Sequence, residues 1–128
     1  MSSNTFELVL LIDDDSDEHF LFKGALESYN STVTCLTAFS CQQGYEIAKL
    51  KKPDVIFLDM NLPGTNGLAC LRKFKKTDHF KDVPVYMYSS GSVSKSDVMV
   101  ALQAGAQKWI KKPQKLEDYS KVFSSVFC

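Results

Sequence analysis

The chain contains 128 residues, of which 45% are hydrophobic, and its 15 basic and 15 acidic residues give a formal net charge of zero. This length predicts one globular domain that buries roughly two thirds of the surface exposed by the unfolded chain. The balanced charge lacks the basic excess of a nucleic-acid surface, and no apolar run approaches the roughly 18 residues of a membrane span. We therefore expect neither nucleic acid nor a membrane as a partner.

In the first half of the chain, short apolar runs alternate with longer segments of helical period, a pattern typical of buried strands followed by helices. Strands are predicted over residues 7–12, 32–38 and 54–58, and helices over residues 16–29 and 40–50. The apolar face of the first helix is predicted from Phe20, Leu21, Ala25 and Leu26. Ser40 and Gln43 have the spacing of a capping box, which predicts the start of the second helix.

The second half begins with a loop over residues 63–67, which is rich in turn-forming residues. Helices are predicted from residue 68 to about 76, from 95 to about 104 and from 116 to 126, and strands over 83–88 and 108–111. Ser94 and Asp97 predict the cap of the middle helix, and Gly105 predicts its end. Five strand–helix units in succession predict a parallel sheet with helices on both faces.

Polar side chains stand at the ends of four of the predicted strands. Asp13, Asp14 and Asp15 follow the first strand, Asp59 the third, Ser89, Ser90 and Gly91 the fourth, and Lys111, Lys112 and Pro113 the fifth. Each has a plainer interpretation, because acidic residues cap helices, aspartate and serine form turns, and proline ends strands. Ligand sites of open parallel sheets form at the carboxyl ends of the strands, so the joint placement favours a functional site.

Three carboxylates at this edge, those of Asp13, Asp14 and Asp59, would repel one another and raise at least one pKa. A divalent cation removes the repulsion, and a set of hard oxygen ligands is typical of Mg²⁺. One aspartate oxygen would remain free to act as a nucleophile toward phosphorus. Lys112 and the hydroxyl of Ser89 would then neutralise and hydrogen-bond the phosphoryl oxygens.

The four cysteines do not form a C-x-x-C pair and are not spaced with histidines as metal ligands are. They are predicted to be reduced, mostly small core residues of a cytosolic protein. The N-terminus carries no positive charge before an apolar stretch and is not predicted to be a signal peptide. The four cysteines of the chain are Cys35, Cys41, Cys70 and Cys128.

At this point the sequence resembles the receiver domain of bacterial two-component response regulators. The matching segments are LLIDDD at 10–15, DVIFLDMNLPGTNG at 54–67, PVYMYSS at 84–90 and ALQAGAQKWIKKP at 101–113. The resemblance implies a flavodoxin-like, doubly wound, five-stranded parallel sheet with the strand order 2-1-3-4-5. It covers about residues 7–127, so we expect residues 1–128 to be one receiver domain without an output domain.

The resemblance assigns a metal site and a phosphoacceptor to particular residues. It implies that Asp13 and Asp14 prepare a Mg²⁺ site, with Asp14 as a direct ligand. Asp59 matches the aspartate that accepts the phosphoryl group and also faces the metal. Asn61, two residues further on, matches the residue whose backbone carbonyl is a metal ligand.

The remaining matches concern the response to phosphorylation. Ser89 matches the hydroxyl at the end of the fourth strand, and Lys112 matches the lysine of a Lys-Pro pair. The bond between Lys112 and Pro113 is expected to be cis. Trp109 stands at the position of the aromatic ring that changes rotamer with phosphorylation.

The implied function is that of a cytoplasmic signalling receiver rather than an enzyme acting on other substrates. A sensor histidine kinase or phosphotransfer protein would dock on the first helix, near Phe20, and an unknown protein would read the switched surface. The chain is expected to be a monomer or weak dimer. Three alternatives stay open: a receiver-like interaction module that is not phosphorylated, a flavodoxin-like electron carrier, and a phosphoaspartate hydrolase.

Overall fold

The computed structural model describes residues 7–91 and 93–127. The elements in chain order are β1 (Leu8–Ile12), α1 (Ser16–Tyr29), β2 (Thr34–Ala38), α2 (Cys41–Leu50), β3 (Val55–Leu58), β4 (Asn61–Leu62), β5 (Thr65–Asn66), α3 (Gly67–Lys76), β6 (Val85–Ser89), α4 (Lys95–Gln103), β7 (Lys108–Lys111), a 3-10 turn (Leu116–Asp118) and α5 (Tyr119–Phe127). Within the described part of the chain, no helix combines the length and the apolar character needed to cross a bilayer.

Five parallel strands form the main sheet, in the order β2-β1-β3-β6-β7. The two-residue strands β4 and β5 pair only with each other, so the main sheet has the predicted order 2-1-3-4-5 when its own strands are counted. The order reverses between β1 and β3, which are neighbours in the sheet. Their carboxyl ends therefore lie side by side at the edge where ligand sites form.

Apolar residues cover both faces of the sheet, as expected for parallel strands that are buried on both sides. On one face, helices α2, α3 and α4 pack through Ala48, Phe74 and Ala101. On the other face, helices α1 and α5 pack through Phe22 and Phe123. The two helical layers hold the strands, and thus the strand ends, in fixed positions.

The predicted helix signals are confirmed. The hydroxyls of Ser40 and Ser94 accept hydrogen bonds from the backbone N–H groups of Gln43 and Asp97. Asp15 caps α1 by accepting from Asp17 N, which is its plainer interpretation. These caps satisfy N–H groups that would otherwise lack a partner in the first turn of each helix.

The predicted apolar face of α1 is wrong in part. Leu26 is buried, but Phe20 is 80% exposed, and the buried side of the helix carries Glu18, His19 and Phe22 instead. Apolar residues occur around most of this helix, so its hydrophobic pattern does not single out the face that packs on the sheet. The exposed ring of Phe20 lies beside α5 and becomes relevant below.

The prediction that the cysteines are reduced is also wrong for two of them. Cys41 and Cys70 form a disulfide; their Cα atoms are 5.8 Å apart, and the two residues are 29 positions apart in sequence. The two residues belong to α2 and α3, and both helices pack on the same face of the sheet. Cys35 is a buried free thiol, as expected, and Cys128 lies outside the described residues.

Candidate functional site

The ends of β1 and β3 bring two aspartates together. Backbone N–H of Asp59 donates to the carbonyl of Ile12 at 2.9 Å, and N–H of Asp13 donates to that of Ala38 at 3.0 Å. These bonds continue the sheet pattern by one residue beyond the assigned strands. Asp13 and Asp59 are consequently held by backbone hydrogen bonds on adjacent strands.

Asp13, Asp14 and Asp59 form an acidic cluster in which one carboxylate oxygen from each residue lies within 4.8 Å of the others. Asp13 and Asp59 are buried, whereas Asp14 is exposed. Three hard oxygen donors, with one side open to solvent, fit Mg²⁺, which prefers oxygen ligands and keeps several waters. The donor set therefore matches the ion that the sequence predicted.

The environment of Asp59 disfavours its charged form. Burial, followed by repulsion from Asp13, raises the pKa of this carboxyl to about 6, although Lys112 and a hydrogen bond from Asn61 oppose the shift. Positive charge brought to this cluster would favour the ionised carboxylate. The site is thus arranged to gain from binding a cation.

Without a bound metal, the contribution of Asp59 to the free energy of unfolding is expected to fall as the pH rises from about 4 to 7. The folded chain keeps Asp59 protonated at pH values where the unfolded chain, with the ordinary pKa of 3.8, has lost the proton. The unfolded state then binds fewer protons, so its relative stability increases with pH. The expected loss is about 1–3 kcal/mol, measured by urea unfolding in the presence of a chelator.

The Asp59→Asn variant is the control for this pH dependence, because its side chain has no proton to lose. Its unfolding free energy should vary less over the same pH range. Equal slopes for the two proteins would show that Asp59 does not titrate in this window.

Lys112 supplies the positive charge next to the acidic cluster. Its Nζ lies 2.6 Å from Asp13 Oδ2 and 3.5 Å from Asp59 Oδ2. Burial lowers the pKa of Lys112, but pairing with Asp13 and Asp59 raises it by more, so the net shift is upward. The backbone N–H of Lys112 donates to the carbonyl of Ser89 at 2.9 Å, which fixes the end of β7 beside the end of β6.

The predicted site residues Ser89 and Asn61 lie at the same edge. Ser89 is buried at the end of β6, and its hydroxyl donates to the carbonyl of Ser90 at 3.2 Å. Asn61 is exposed, and its backbone N–H donates to Asp59 Oδ1 at 3.3 Å. Asn61 therefore contacts Asp59, whereas Ser89 contacts the backbone N–H of Lys112 through its carbonyl and turns its hydroxyl toward Ser90.

Trp109 lies on β7 and packs against the core beneath α2, α3 and α4. Among residues 7–91 and 93–127, no acceptor reaches its buried Nε1. A buried N–H without an acceptor costs about 1–3 kcal/mol, so this position of the Trp109 ring is unfavourable for its N–H group.

The expected cis bond between Lys112 and Pro113 is wrong, because the bond is trans. The trans form of a bond before proline is intrinsically favoured by about 0.5–1 kcal/mol. With the trans bond, the Lys112 side chain already reaches both Asp13 and Asp59.

Gly67 brings the start of α3 close to the end of β3. Its backbone N–H donates to the carbonyl of Met60 at 2.6 Å. A Cβ at this position would collide with backbone atoms of Asp59 and Met60. The residue next to the acidic cluster must therefore be glycine for α3 to approach Asp59 so closely.

The comparison with known families agrees with this arrangement. The family model of the response regulator receiver domain matches residues 9–123 of the sequence. The chain belongs to the response regulator receiver family. Receivers are signalling modules that work in phosphorelays with histidine kinases or phosphotransfer proteins, and they carry an acidic site for Mg²⁺.

Individual relatives show how far this receiver is similar to known proteins. It is 31% identical to the phosphate regulon transcriptional regulatory protein PhoB of Pseudomonas aeruginosa over 105 residues, which are 82% of this chain and 44% of PhoB. It is 27% identical to Protein PilH of the same species over 118 residues, covering 92% of this chain and 95% of PilH. The chain spans about half the length of several curated relatives, PhoB among them.

The fold of the receiver is similar to that of the Mn²⁺-bound form of response regulator Rcp1. The TM-score is 0.81 and the sequence identity is 20%, with 94% of this chain and 91% of that chain covered. At this identity the likeness concerns the fold. The flavodoxin-like, doubly wound architecture predicted from the sequence is thus confirmed.

Sequence reasoning missed two buried polar groups beside the site of this receiver. Glu18 Oε2 accepts hydrogen bonds from Tyr88 OH at 2.8 Å and from Tyr119 OH at 2.9 Å, which joins α1, β6 and α5. His19 Nε2 lies 2.6 Å from the carbonyl oxygen of Asp13. Because a carbonyl only accepts, this nitrogen carries the proton and the imidazole supports the backbone of Asp13.

Proposed function

We propose that this chain is a phosphoacceptor receiver in which Asp59 takes a phosphoryl group from a histidine kinase or phosphotransfer protein in the presence of Mg²⁺. The observation that carries the proposal is the convergence of Asp13, Asp14 and Asp59 within 4.8 Å of one another, with the Lys112 ammonium 3.5 Å from Asp59 Oδ2. Carboxylates, a nucleophilic oxygen and a fixed cation are the groups that phosphoryl transfer to aspartate needs.

Asp13, Asp14 and Asp59 would hold Mg²⁺, with the backbone carbonyl of Asn61 as a further ligand. The bound ion supplies positive charge to the phosphoryl oxygens. Asp14, the exposed member of the cluster, faces the solvent side from which a donor arrives. Asp13 is buried and held by Asp15 N–H at 3.0 Å and by Lys112, so it acts as a fixed anion at the base of the site.

An oxygen of Asp59 attacks the phosphorus of a phosphohistidine in the donor protein. The new O–P bond forms as the P–N bond breaks, and the electron pair of that bond stays on the imidazole. Lys112 then neutralises phosphoryl oxygens, because its Nζ already lies between Asp13 and Asp59. The Ser89 hydroxyl has to rotate away from the Ser90 carbonyl to donate to the phosphoryl group.

Trp109 connects the site to the surface that a downstream protein would read. Movement of the Ser89 hydroxyl changes the space beside β7, and Trp109 has a buried N–H whose acceptor is missing within the described residues. The neighbouring helix α4 carries exposed apolar side chains at Met99 and Leu102. Phosphorylation would shift the population between two arrangements of this surface.

The donor protein would dock in the groove between α1 and α5. The groove has a volume of about 450 Å³ and is lined by Phe20, Leu21, Tyr29 and Leu116 among others. Phe20 and Leu116 are 80% and 67% exposed. An exposed apolar groove of this kind suits the apolar face of a helix in the donor protein.

The stand-alone role without an output domain, the cytoplasmic location and the monomeric or weakly dimeric state stay predictions.

Tryptophan fluorescence tests the proposed function directly, because the chain contains one tryptophan. Adding acetyl phosphate or beryllofluoride together with Mg²⁺ is expected to change the emission of Trp109. The change should be absent without Mg²⁺ and absent in the Asp59→Asn variant. The same response in Asp59→Asn and in the native protein would contradict phosphorylation at Asp59.

A further inference from the structure

We propose that Cys41 and Cys70 form a reversible thiol–disulfide site that exchanges with small thiols and disulfides and restrains the segment that carries Asp59. The two cysteines are disulfide-bonded across α2 and α3. Their Cα separation of 5.8 Å lies within the usual range for disulfides. In a reducing compartment disulfides are mostly transient or redox-sensing, and there this bond would be reduced and re-formed rather than permanent.

A cleft gives reactants access to this disulfide. It has a volume of about 450 Å³ and is lined by both cysteines together with Ser40, Pro63, Thr65 and Lys73. Cys41 is 6% exposed and Cys70 only 1%. Both cysteines are buried, and Cys41 is the more exposed of the two, so a small thiol entering the cleft would approach the disulfide from the Cys41 side.

The chemistry follows from these positions. A thiolate of a small thiol attacks the Cys41 sulfur, the bond between the two cysteines breaks, and Cys70 leaves as a thiolate that takes up a proton. A second thiolate attacks the small-molecule sulfur of the mixed disulfide and releases Cys41. The products are two protein thiols and one small-molecule disulfide. The reverse reaction uses a small-molecule disulfide as the oxidant.

The position of Cys41 in α2 favours this exchange. Cys41 is the first residue of the helix, and the positive end of a helix dipole stabilises a thiolate. The released Cys41 thiolate is thus a good leaving group and, in the reverse direction, the attacking group. Cys35 differs, because burial raises its pKa to about 12 and its thiol stays protonated.

The disulfide closes a covalent loop around the candidate site. The loop between the two cysteines contains β3, Asp59 and Gly67, the residue that packs on the backbone of Asp59. A second link between the two helices, from Tyr45 OH to Thr77 Oγ1 at 3.1 Å, lies at the far end of α3. Reduction therefore releases the end of α3 that borders Asp59 and leaves the other end attached.

Redox titration of the full chain tests the site. Folded protein is equilibrated in mixtures of reduced and oxidised glutathione and quenched with acid. It is then unfolded, its free thiols are labelled with a maleimide, and the labelled cysteines are identified by peptide mass. Cys41 and Cys70 are expected to change together from blocked to labelled as the mixture becomes more reducing, while the free thiol Cys35 is labelled in every mixture. Labelling of both cysteines in every mixture, or labelling of neither under full reduction, would overturn the proposal.

Stability and amide exchange test the restraint on the Asp59 segment. Reduction is expected to lower Tm by on the order of 10 °C, as for a disulfide that closes a loop of this length. It should also speed amide hydrogen exchange in residues 59–70. In the Cys41→Ser/Cys70→Ser variant, reductant should change neither the Tm nor the exchange rates. In Cys35→Ala, reductant should change both as it does in the native chain. Equal responses in native chain and double variant, or unchanged exchange in residues 59–70, would overturn the restraint.

The regulatory meaning of this restraint rests on the proposed function of Asp59, but its measurements need no phosphoryl group. A failure of phosphorylation would leave the thiol titration and the exchange rates unaffected. A failure of the disulfide site would likewise leave the fluorescence response to acetyl phosphate intact.

Discussion

Replacing Lys112 by alanine is expected to slow phosphorylation of Asp59 by roughly 100- to 1,000-fold, the usual effect of removing one fixed group that stabilises developing charge. Lys112 Nζ lies 3.5 Å from Asp59 Oδ2 and is the cation at the acidic cluster. Mg²⁺ binding should persist or strengthen, because the three carboxylates remain and a competing positive charge is removed. Both quantities are measured with Trp109 fluorescence, from the initial rate with acetyl phosphate and from a Mg²⁺ titration.

Lys111→Ala provides the matched control for this prediction. Lys111 is the adjacent residue, carries the same charge and is exposed, so its removal should change either quantity by no more than about twofold. Wild-type rates in Lys112→Ala would show that Lys112 does not act on the phosphoryl group. Loss of Mg²⁺ binding together with the rate would show instead that Lys112 mainly keeps the cluster folded.

Replacing Glu18 by alanine is expected to lower the free energy of unfolding by about 3 kcal/mol, because two buried phenol groups lose their acceptor. Tyr88 is fully buried and Tyr119 nearly so, and both donate to Glu18 Oε2. Burial raises the pKa of Glu18, and the two phenol hydrogen bonds partly offset that shift. Urea unfolding at neutral pH measures the loss.

Glu18→Gln is the control, because its amide oxygen can accept from the same phenols, and it should lose less than half as much stability. A double-mutant cycle with Tyr119→Phe separates the hydrogen bond from packing: the two losses should be clearly less than additive. Additive losses, or equal losses in the glutamine and alanine variants, would mean that the hydrogen bonds to Glu18 do not stabilise the fold. Because Tyr88 precedes Ser89, this network also steadies the strand that carries the predicted hydroxyl.

The architecture was predictable because each element carries its own local signals. Apolar runs of strand length alternate with helical segments, and Ser40, Ser94 and Gly105 mark helix ends through backbone chemistry that is local in sequence. The short strands β4, just before the predicted loop, and β5, within it, were not anticipated, because two-residue strands leave no periodic pattern.

The candidate site was predictable to the extent that strand ends determine it. Once the sheet is parallel, Asp13, Asp59, Ser89 and Lys112 must share one edge, whatever the side-chain conformations. The hydrogen bonds of Glu18 with Tyr88 and Tyr119 were not predictable, because the three residues meet only through packing of α1 and α5 on the sheet. The rotamer that directs the Ser89 hydroxyl to the carbonyl of Ser90 is likewise not determined by the local sequence.

The errors have a common physical origin. The exposed Phe20 and the buried Phe22 are both apolar, and only packing against α5 and β6 decides which of them joins the core. Cys41 and Cys70 show no disulfide spacing, because their proximity arises from two helices that meet on one face of the sheet. In both cases the deciding contacts are distant in sequence.

The measurement that tests the central claim most directly is the location of the phosphoryl group. The native chain is incubated with acetyl phosphate and Mg²⁺, the acyl phosphate is reduced with borohydride, and the modified residue is identified by peptide mass. Modification at Asp59, with none when Mg²⁺ is omitted, is the predicted result. Modification at another residue, or none in folded protein with Mg²⁺ present, would contradict the assignment of Asp59 as the phosphoacceptor.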